Sequence, residues 1–419
     1  MSRSSVALDN MRAIVILIVL GFHSVLAYVS WVPTSTAGFD SPPYLWRSFP
    51  IVDSHRFFGF DVFCAWQNVY LMSLMFFLSG LFLWPSLARK RDFAFMRDRV
   101  LRLAVPYIFG LAILMPLAFY PTYLLTAADP SVPAYWHAFL ALPFWPNGQL
   151  WFLWQLLVLA AAAAALHRIA PNVLEVVGRW SLGAAKRPGP YFAVLVTASA
   201  LAYVPLAVAF TPWAWSDSGI FSIQFCRPLH YAVYFFAGVG IGVRGLDYGL
   251  LATDGPLARR WAQWLAAALA SFALWIASTA WTMNGGESTG AETAAAFSYV
   301  LACAAGCFCL IALCLRFAAK PSRLLGVLAA NAYGLYLMHY VFVVWLQYAL
   351  LPAPLFAVVK GAIVFGGTLF FSLIATTALE RIPLGGRLIG SVPPAAAGVA
   401  SQAPSESAPQ SHADAVRSR

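Results

Sequence analysis

The sequence predicts an all-α, polytopic integral membrane protein of about ten transmembrane helices, for three reasons. Its 419 residues are 61% hydrophobic and only 10% charged, where a soluble domain carries about 25% charged residues. Apolar runs of about 20 residues recur along it, each long enough to cross a hydrocarbon core of about 30 Å. The runs are continuous rather than alternating. In hydrocarbon a backbone must satisfy its own hydrogen bonds, so they read as helices and not as barrel strands.

In chain order the spans fall at about 11–31, 63–84, 101–119, 150–166, 191–210, 225–243, 261–283, 293–315, 325–350 and 356–379. A basic start before a short apolar run is also how a signal peptide opens. Arg12 and His23 stand inside the first run, so a retained helix is the reading. With ten spans, every Lys and Arg except Arg47, Arg56, Arg227 and Lys360 lies on one side. The positive-inside rule makes that side cytoplasmic, with both chain ends there. The same distribution removes the nucleic-acid role that a net charge of +10 invites, because the cations flank spans rather than form a patch. Residues 1–390 read as one transmembrane domain. Residues 391–419, rich in Ala, Pro, Ser and Gln, read as a disordered cytoplasmic tail.

Two loops on the opposite side are long, 32–62 and 120–149, and carry Tyr44, Trp46, Tyr135, Trp136 and Trp145. Interfacial belts account for aromatics at membrane edges, and flat ring faces also suit sugar rings. Asp53 and His55 in the first loop read as solvated loop before acceptor site. Cys303, Cys307, Cys309 and Cys314 share one apolar run without C-x-x-C pairing. They read as packing residues, and no metal site is implied.

Ionisable groups inside a span are expensive and mark function by default. Arg12 and His23 lie eleven residues apart on the first helix. At about 100° per residue that is roughly 1100°, within about 20° of three full turns, so both project from one face, about 16 Å apart. The plain alternative is an anchoring Arg12 paired with Asp9 and a satisfied core His23. His339, mid-span in the ninth run, taken alone reads as structural. Ser79 lacks a G-x-S-x-G elbow and reads as a small packing residue.

These residues fall in a recognisable order. Leu8-Asp9-Asn10-Met11-Arg12-Ala13, followed by His23, resembles the opening signature of the type 3 membrane acyltransferases. Phe76-Phe77-Leu78-Ser79-Gly80 resembles that family's second-helix motif. Arg99-Val100-Leu101-Arg102 with Pro106-Tyr107 resembles its basic entry to the third helix. Gln149-Leu150-Trp151-Phe152-Leu153 resembles its H-L-W-F-L motif, with Gln149 where the family has His. Leu335-Tyr336-Leu337-Met338-His339 resembles its late Y-L-x-H motif, and Arg381-Ile382-Pro383-Leu384 is similar to the close of the periplasmic-glucan succinyltransferase branch.

The resemblance implies O-acyl transfer in a bacterial inner membrane, from cytoplasmic acyl-CoA to a hydroxyl of an extracytoplasmic glycan. It implies His23 as general base, directly or through an acyl-histidine, and His339 as its active-site companion. Arg12, Arg99 and Arg102 become the clamp on coenzyme A phosphates, because a guanidinium matches phosphate geometry. No permanently bound cofactor is expected, and the oligomeric state stays open. The rival reading is a transporter or flippase with a polar path through Arg12, His23 and His339, although no internal repeat supports it.

Overall fold

The computed structural model describes residues 3–32, 38–183, 187–245, 249–286, 288–382 and 385–386. The expected tail at 391–419 and the Pro383-Leu384 end of the last motif lie outside them. Its helices are α1 (Arg3–Val25), α2 (Phe58–Leu81), α3 (Asp92–Leu124), α4 (Val132–Leu140), α5 (Trp151–Ile169), α6 (Pro171–Gly183) and α7 (Pro188–Phe210). A hairpin follows, β1 (Trp215–Ser218) and β2 (Phe221–Gln224). Then come α8 (Pro228–Val243), α9 (Trp261–Met283), α10 (Thr289–Phe317), α11 (Arg323–Ala349) and α12 (Ala357–Glu380). All ten expected spans are present as helices, nine of them long and apolar enough to cross a membrane among the described residues. The tenth, α8, has 16 residues, about 24 Å at 1.5 Å per residue, and is shorter than a full crossing.

Four features differ from the simple layout. The third span extends back to Asp92, because its basic segment is helical beyond the apolar run. It also holds two π-helical turns, Val100–Ala104 and Gly110–Leu114. Each lends a carbonyl to a side chain elsewhere: Tyr333 Oη donates to Arg102 O at 2.6 Å, and Trp145 Nε1 donates to Leu111 O at 3.1 Å. Second, α4 and α6 are extra helices, neither long enough to span. Third, the run expected from 225 starts at Pro228, because the residues before it pair as an antiparallel hairpin with Trp215 opposite Gln224 and Ser218 opposite Phe221. Its two-residue turn places Gly219 at φ +59°, as a glycine-first hairpin turn requires.

The fourth difference is depth. Between α4 and α5 the chain descends along α3: Trp145 reaches Leu111, and Leu150 packs on Gly110 so closely that a Cβ there would lie 2.6 Å from its Cδ1. Gly110 and Leu111 are central in α3. The hairpin tip descends beside it, with Gly219 O accepting from Trp145 N at 3.1 Å and Ile220 O accepting from Tyr107 Oη. Non-helical backbone at membrane depth survives only buried in protein or lining a wet cavity. The hairpin is tied to the first long loop by Arg47, whose guanidinium donates to both Asp217 oxygens at 2.6 and 2.7 Å and lies 4.0 Å from the Phe144 ring centroid.

Packing follows side-chain size. Gly80 and Gly238 let α2 and α8 meet backbone to backbone. A Cβ on Gly80 would sit 2.0 Å from Phe235 O, and one on Gly238 would sit 2.0 Å from Phe77 O. This is the small-residue seam that membrane helices favour, and it accounts for the glycine of the second-helix motif. Helix α1 runs through the interior, with Ala7, Leu8, Met11 and Leu20 fully buried. Asn10 Nδ2 donates to Ala318 O and Lys320 O at 2.7 and 2.9 Å, satisfying carbonyls at the end of α10.

Candidate active site

His23 on α1 and His339 on α11 face each other in the interior. Their ring centroids are 5.1 Å apart, and the Tyr340 ring stands edge-on 5.2 Å from His23. Gln347, two turns along α11, fixes the end of α1 by donating to His23 O at 2.9 Å and Ser24 O at 3.2 Å. His339 is fully buried. Its Nδ1 lies 2.8 Å from Tyr336 O and 3.2 Å from Leu335 O. A carbonyl only accepts, so Nδ1 carries the hydrogen and Nε2 keeps its lone pair. That Nε2 is buried without a partner, and so is His23 Nδ1. Two unsatisfied imidazole nitrogens thus belong to rings in contact. A buried polar atom left unpaired carries a penalty of about 1–3 kcal/mol, which makes the pair the candidate site.

The descending segment brings a further buried amide against α11. Gly148 adopts φ +47°, and a Cβ on it would lie 2.7 Å from Met115 Sδ and 3.3 Å from Tyr340 Cε1. Only glycine lets the chain pass there. It delivers Gln149, whose carbonyl accepts from Tyr336 Oη and whose Nε2 and Oε1 are both buried without partners. From Tyr340 a series of rings leads to the first long loop: Phe119 at 5.9 Å, Trp46 at 5.1 Å from Phe119, and Phe39 stacked 4.5 Å from Trp46.

The expected arginines lie apart from this pair. Arg12 sits 3.5 Å from Asp9, with Phe82 5.8 Å beneath its guanidinium. Arg99 lies 5.0 Å over Phe95, and Arg102 is exposed in the first π turn. That turn changes the angle between Arg99 and Arg102 from that of an α-helix. Among the described residues no hydrogen bond, ion pair or ring contact joins Arg12 to either. Ser79 Oγ donates to Met75 O in its own helix at 2.8 Å, in keeping with a packing role.

Asp53 is a correction. Its loop position suggested solvent, yet it is 1% exposed and accepts from the fully buried Lys360 Nζ at 2.6 Å. It also accepts from His55 N at 2.8 Å. Lys360, inside a span, pulls the loop carboxylate in to neutralise it.

A second polar cluster was not singled out from sequence. His230 on α8 is fully buried, with Ser199 Oγ 2.6 Å from Nδ1 and Ser73 Oγ 3.1 Å from Nε2. Arg227, 5% exposed, donates to Tyr299 Oη and lies 4.5 Å from the Tyr299 ring and 5.9 Å from that of Tyr203. Its Nε has no partner, and no carboxylate pairs with it among the described residues. Burying an ion costs several kcal/mol, and a desolvated cation–π contact returns about 2. Arg227 falls at the edge of the expected 225–243 run and counts there only as one of four cations off the basic side. The available signal was its place beside an apolar run on the side otherwise poor in cations.

A family model described as an acyltransferase domain matches residues 5–377. The chain belongs to this acyltransferase 3 family over nearly its whole length, and it is a multi-pass membrane acyltransferase. The match decides for group transfer over transport. No curated protein and no solved structure matches the chain.

Proposed function

We propose that the protein transfers an acyl group, acetyl or succinyl, from acyl-CoA on its basic face to a carbohydrate hydroxyl on the face carrying the hairpin. The basic face is the cytoplasmic side of a bacterial inner membrane, with residues 1–390 forming the transferase domain. The observation that carries this reading is the facing pair His23–His339, with an orphan nitrogen on each ring. A sugar hydroxyl is a weak nucleophile and needs a positioned base, which imidazole supplies near neutral pH. His23 takes the hydroxyl proton as oxygen attacks the thioester carbonyl. The C–S bond breaks, and His23 returns the proton to the departing thiolate. His339, its tautomer set by the carbonyls of α11, holds the partner ring and substrate in line.

The aromatic series from Phe39 to Tyr340 supports a carbohydrate acceptor entering along the long loops. Gln149 offers both a donor and an acceptor to it, and sets acceptor choice at the position where the family's motif has His. Arg12, Arg99 and Arg102 hold coenzyme A phosphates at the basic face. If so, Arg102→Lys weakens coenzyme A binding by about 1–2 kcal/mol, the worth of one charge-assisted bond, and calorimetric titration reads it. Mass analysis of surface glycans from cells with and without the protein tests the whole reading. An ester-linked acyl mass that depends on the protein supports it, and identical glycan masses overturn it.

A further inference from the structure

We propose that Arg227 is the anchor of a second, anion-binding site, which takes a phosphate or carboxylate group inside the bundle. The site goes beyond the transfer reading and does not rest on it. It is separated from the histidine pair by rings in sequence: Tyr231 stacked 4.7 Å from Phe76, Phe76 4.8 Å from Phe152, and Phe152 5.9 Å from Tyr336.

Arg227 lacks a counter-charge among the described carboxylates. Arg227 is 5% exposed and its Nε is unpartnered. It also stands at the N-cap of α8, a helix of 16 residues. The first N–H groups of a helix have no acceptor within it and carry the positive end of its dipole. Two positive features therefore adjoin each other, with no carboxylate pairing with the arginine among the described residues. The neighbouring His230 is an imidazole and brings no negative charge; Ser199 meets its Nδ1, and Ser73 and the Cys303 thiol meet its Nε2. A guanidinium flanked by donors and ring faces selects an oxyanion.

Two sources offer that chemistry. One is the phosphodiester of an anionic lipid. Helices α7 and α10, which supply Tyr203 and Tyr299, also bound an apolar groove of about 600 Å³ lined by Ala200, Leu201, Val204, Ala294 and Phe297, suited to a lipid tail. The other is the charged end of a soluble substrate.

The test uses the full-length protein in nanodiscs of phosphatidylcholine alone, with phosphatidylglycerol added, or with succinate or glycerol 3-phosphate in the buffer. Thermal unfolding of the wild type should rise by about 3 °C or more with the matching anion. A response to phosphatidylglycerol names the lipid, and a response to a soluble anion names the substrate end. Arg227→Gln should lose the response and, in phosphatidylcholine, melt no lower than the wild type, because an unneutralised charge has been removed. No response of the wild type in any arm overturns the site, as does an equal response of Arg227→Gln. If that variant does not fold, native mass spectrometry of the wild type decides. Retention of one phosphatidylglycerol under conditions that strip phosphatidylcholine, or of a soluble anion, supports the site, and retention of neither overturns it.

Discussion

His23 and His230 are imidazoles enclosed by the same bundle, and their surroundings are opposite. Both nitrogens of His230 meet serine hydroxyls, at 2.6 and 3.1 Å, so the ring is fixed and its hydrogen-bonding capacity is used. His23 meets His339 with an unpaired nitrogen on each ring. His230 is fully buried and His23 half-buried, and hydrogen-bond satisfaction separates them further. A satisfied imidazole holds helices together. An unsatisfied pair carries a penalty that a packing role does not explain, which is why it is the candidate for proton transfer.

The sharpest way to break that contrast is His23→Ala, which should reduce acyl transfer at least about 100-fold, the low end for a lost general base. Membrane abundance should stay near wild type, and His23→Gln should not rescue, because an amide does not take the proton. Transfer of a labelled acyl group above about a tenth of wild type places the base elsewhere.

Next comes Lys360→Met, which strands Asp53 as a buried carboxylate. Removing one partner of such a pair typically costs about 3–5 kcal/mol. Thermal unfolding should fall accordingly, and adding Asp53→Leu should recover most of the loss. A single variant as stable as wild type removes the ion pair from the structural account.

His230→Ala should then show the other half of the comparison. It leaves two serine hydroxyls unpaired, for about 2–3 kcal/mol of stability, while transfer per folded molecule stays within about tenfold of wild type. A collapse of transfer to the level of His23→Ala, with folding intact, would merge the two regions into one site.

The smallest effect is at the hairpin. Burial pushes the Asp217 carboxyl up, but hydrogen bonds from Arg47 and Ser222 and the Arg47 charge outweigh it and hold it below its ordinary value. A depressed carboxyl stabilises above its unfolded pKa of about 3.9 and loses that contribution as pH falls through the folded value. Asp217→Asn should therefore lower stability by about 1–2 kcal/mol at neutral pH, with the two proteins converging in acid. Melting curves at pH 7 and pH 3 read both.

The spans were legible because a crossing helix needs only a long apolar run. Arg12 and His23 were legible because one helix fixes their phase. Asp53 and Lys360 were not, since 307 residues separate them and only tertiary folding brings them together. The hairpin had a local sign in Ser218-Gly219 between alternating residues, but so short a pattern is weak beside the apolar runs around it. The π turns of α3 leave no mark in composition. Gln149 was visible as a departure from a motif, and its buried, unpaired amide only as geometry.

The glycine seam between α2 and α8 has a mechanical consequence. Side chains let helices slide by changing rotamers, and where backbones touch, that lubricating layer is missing. Ser73 on α2 and His230 on α8 are therefore held at a fixed spacing, as parts of one strut. The two π turns give α3 the softer ladder. Whatever opens to admit substrate should bend there, swinging the segment that carries Gln149 against a frame that stays still.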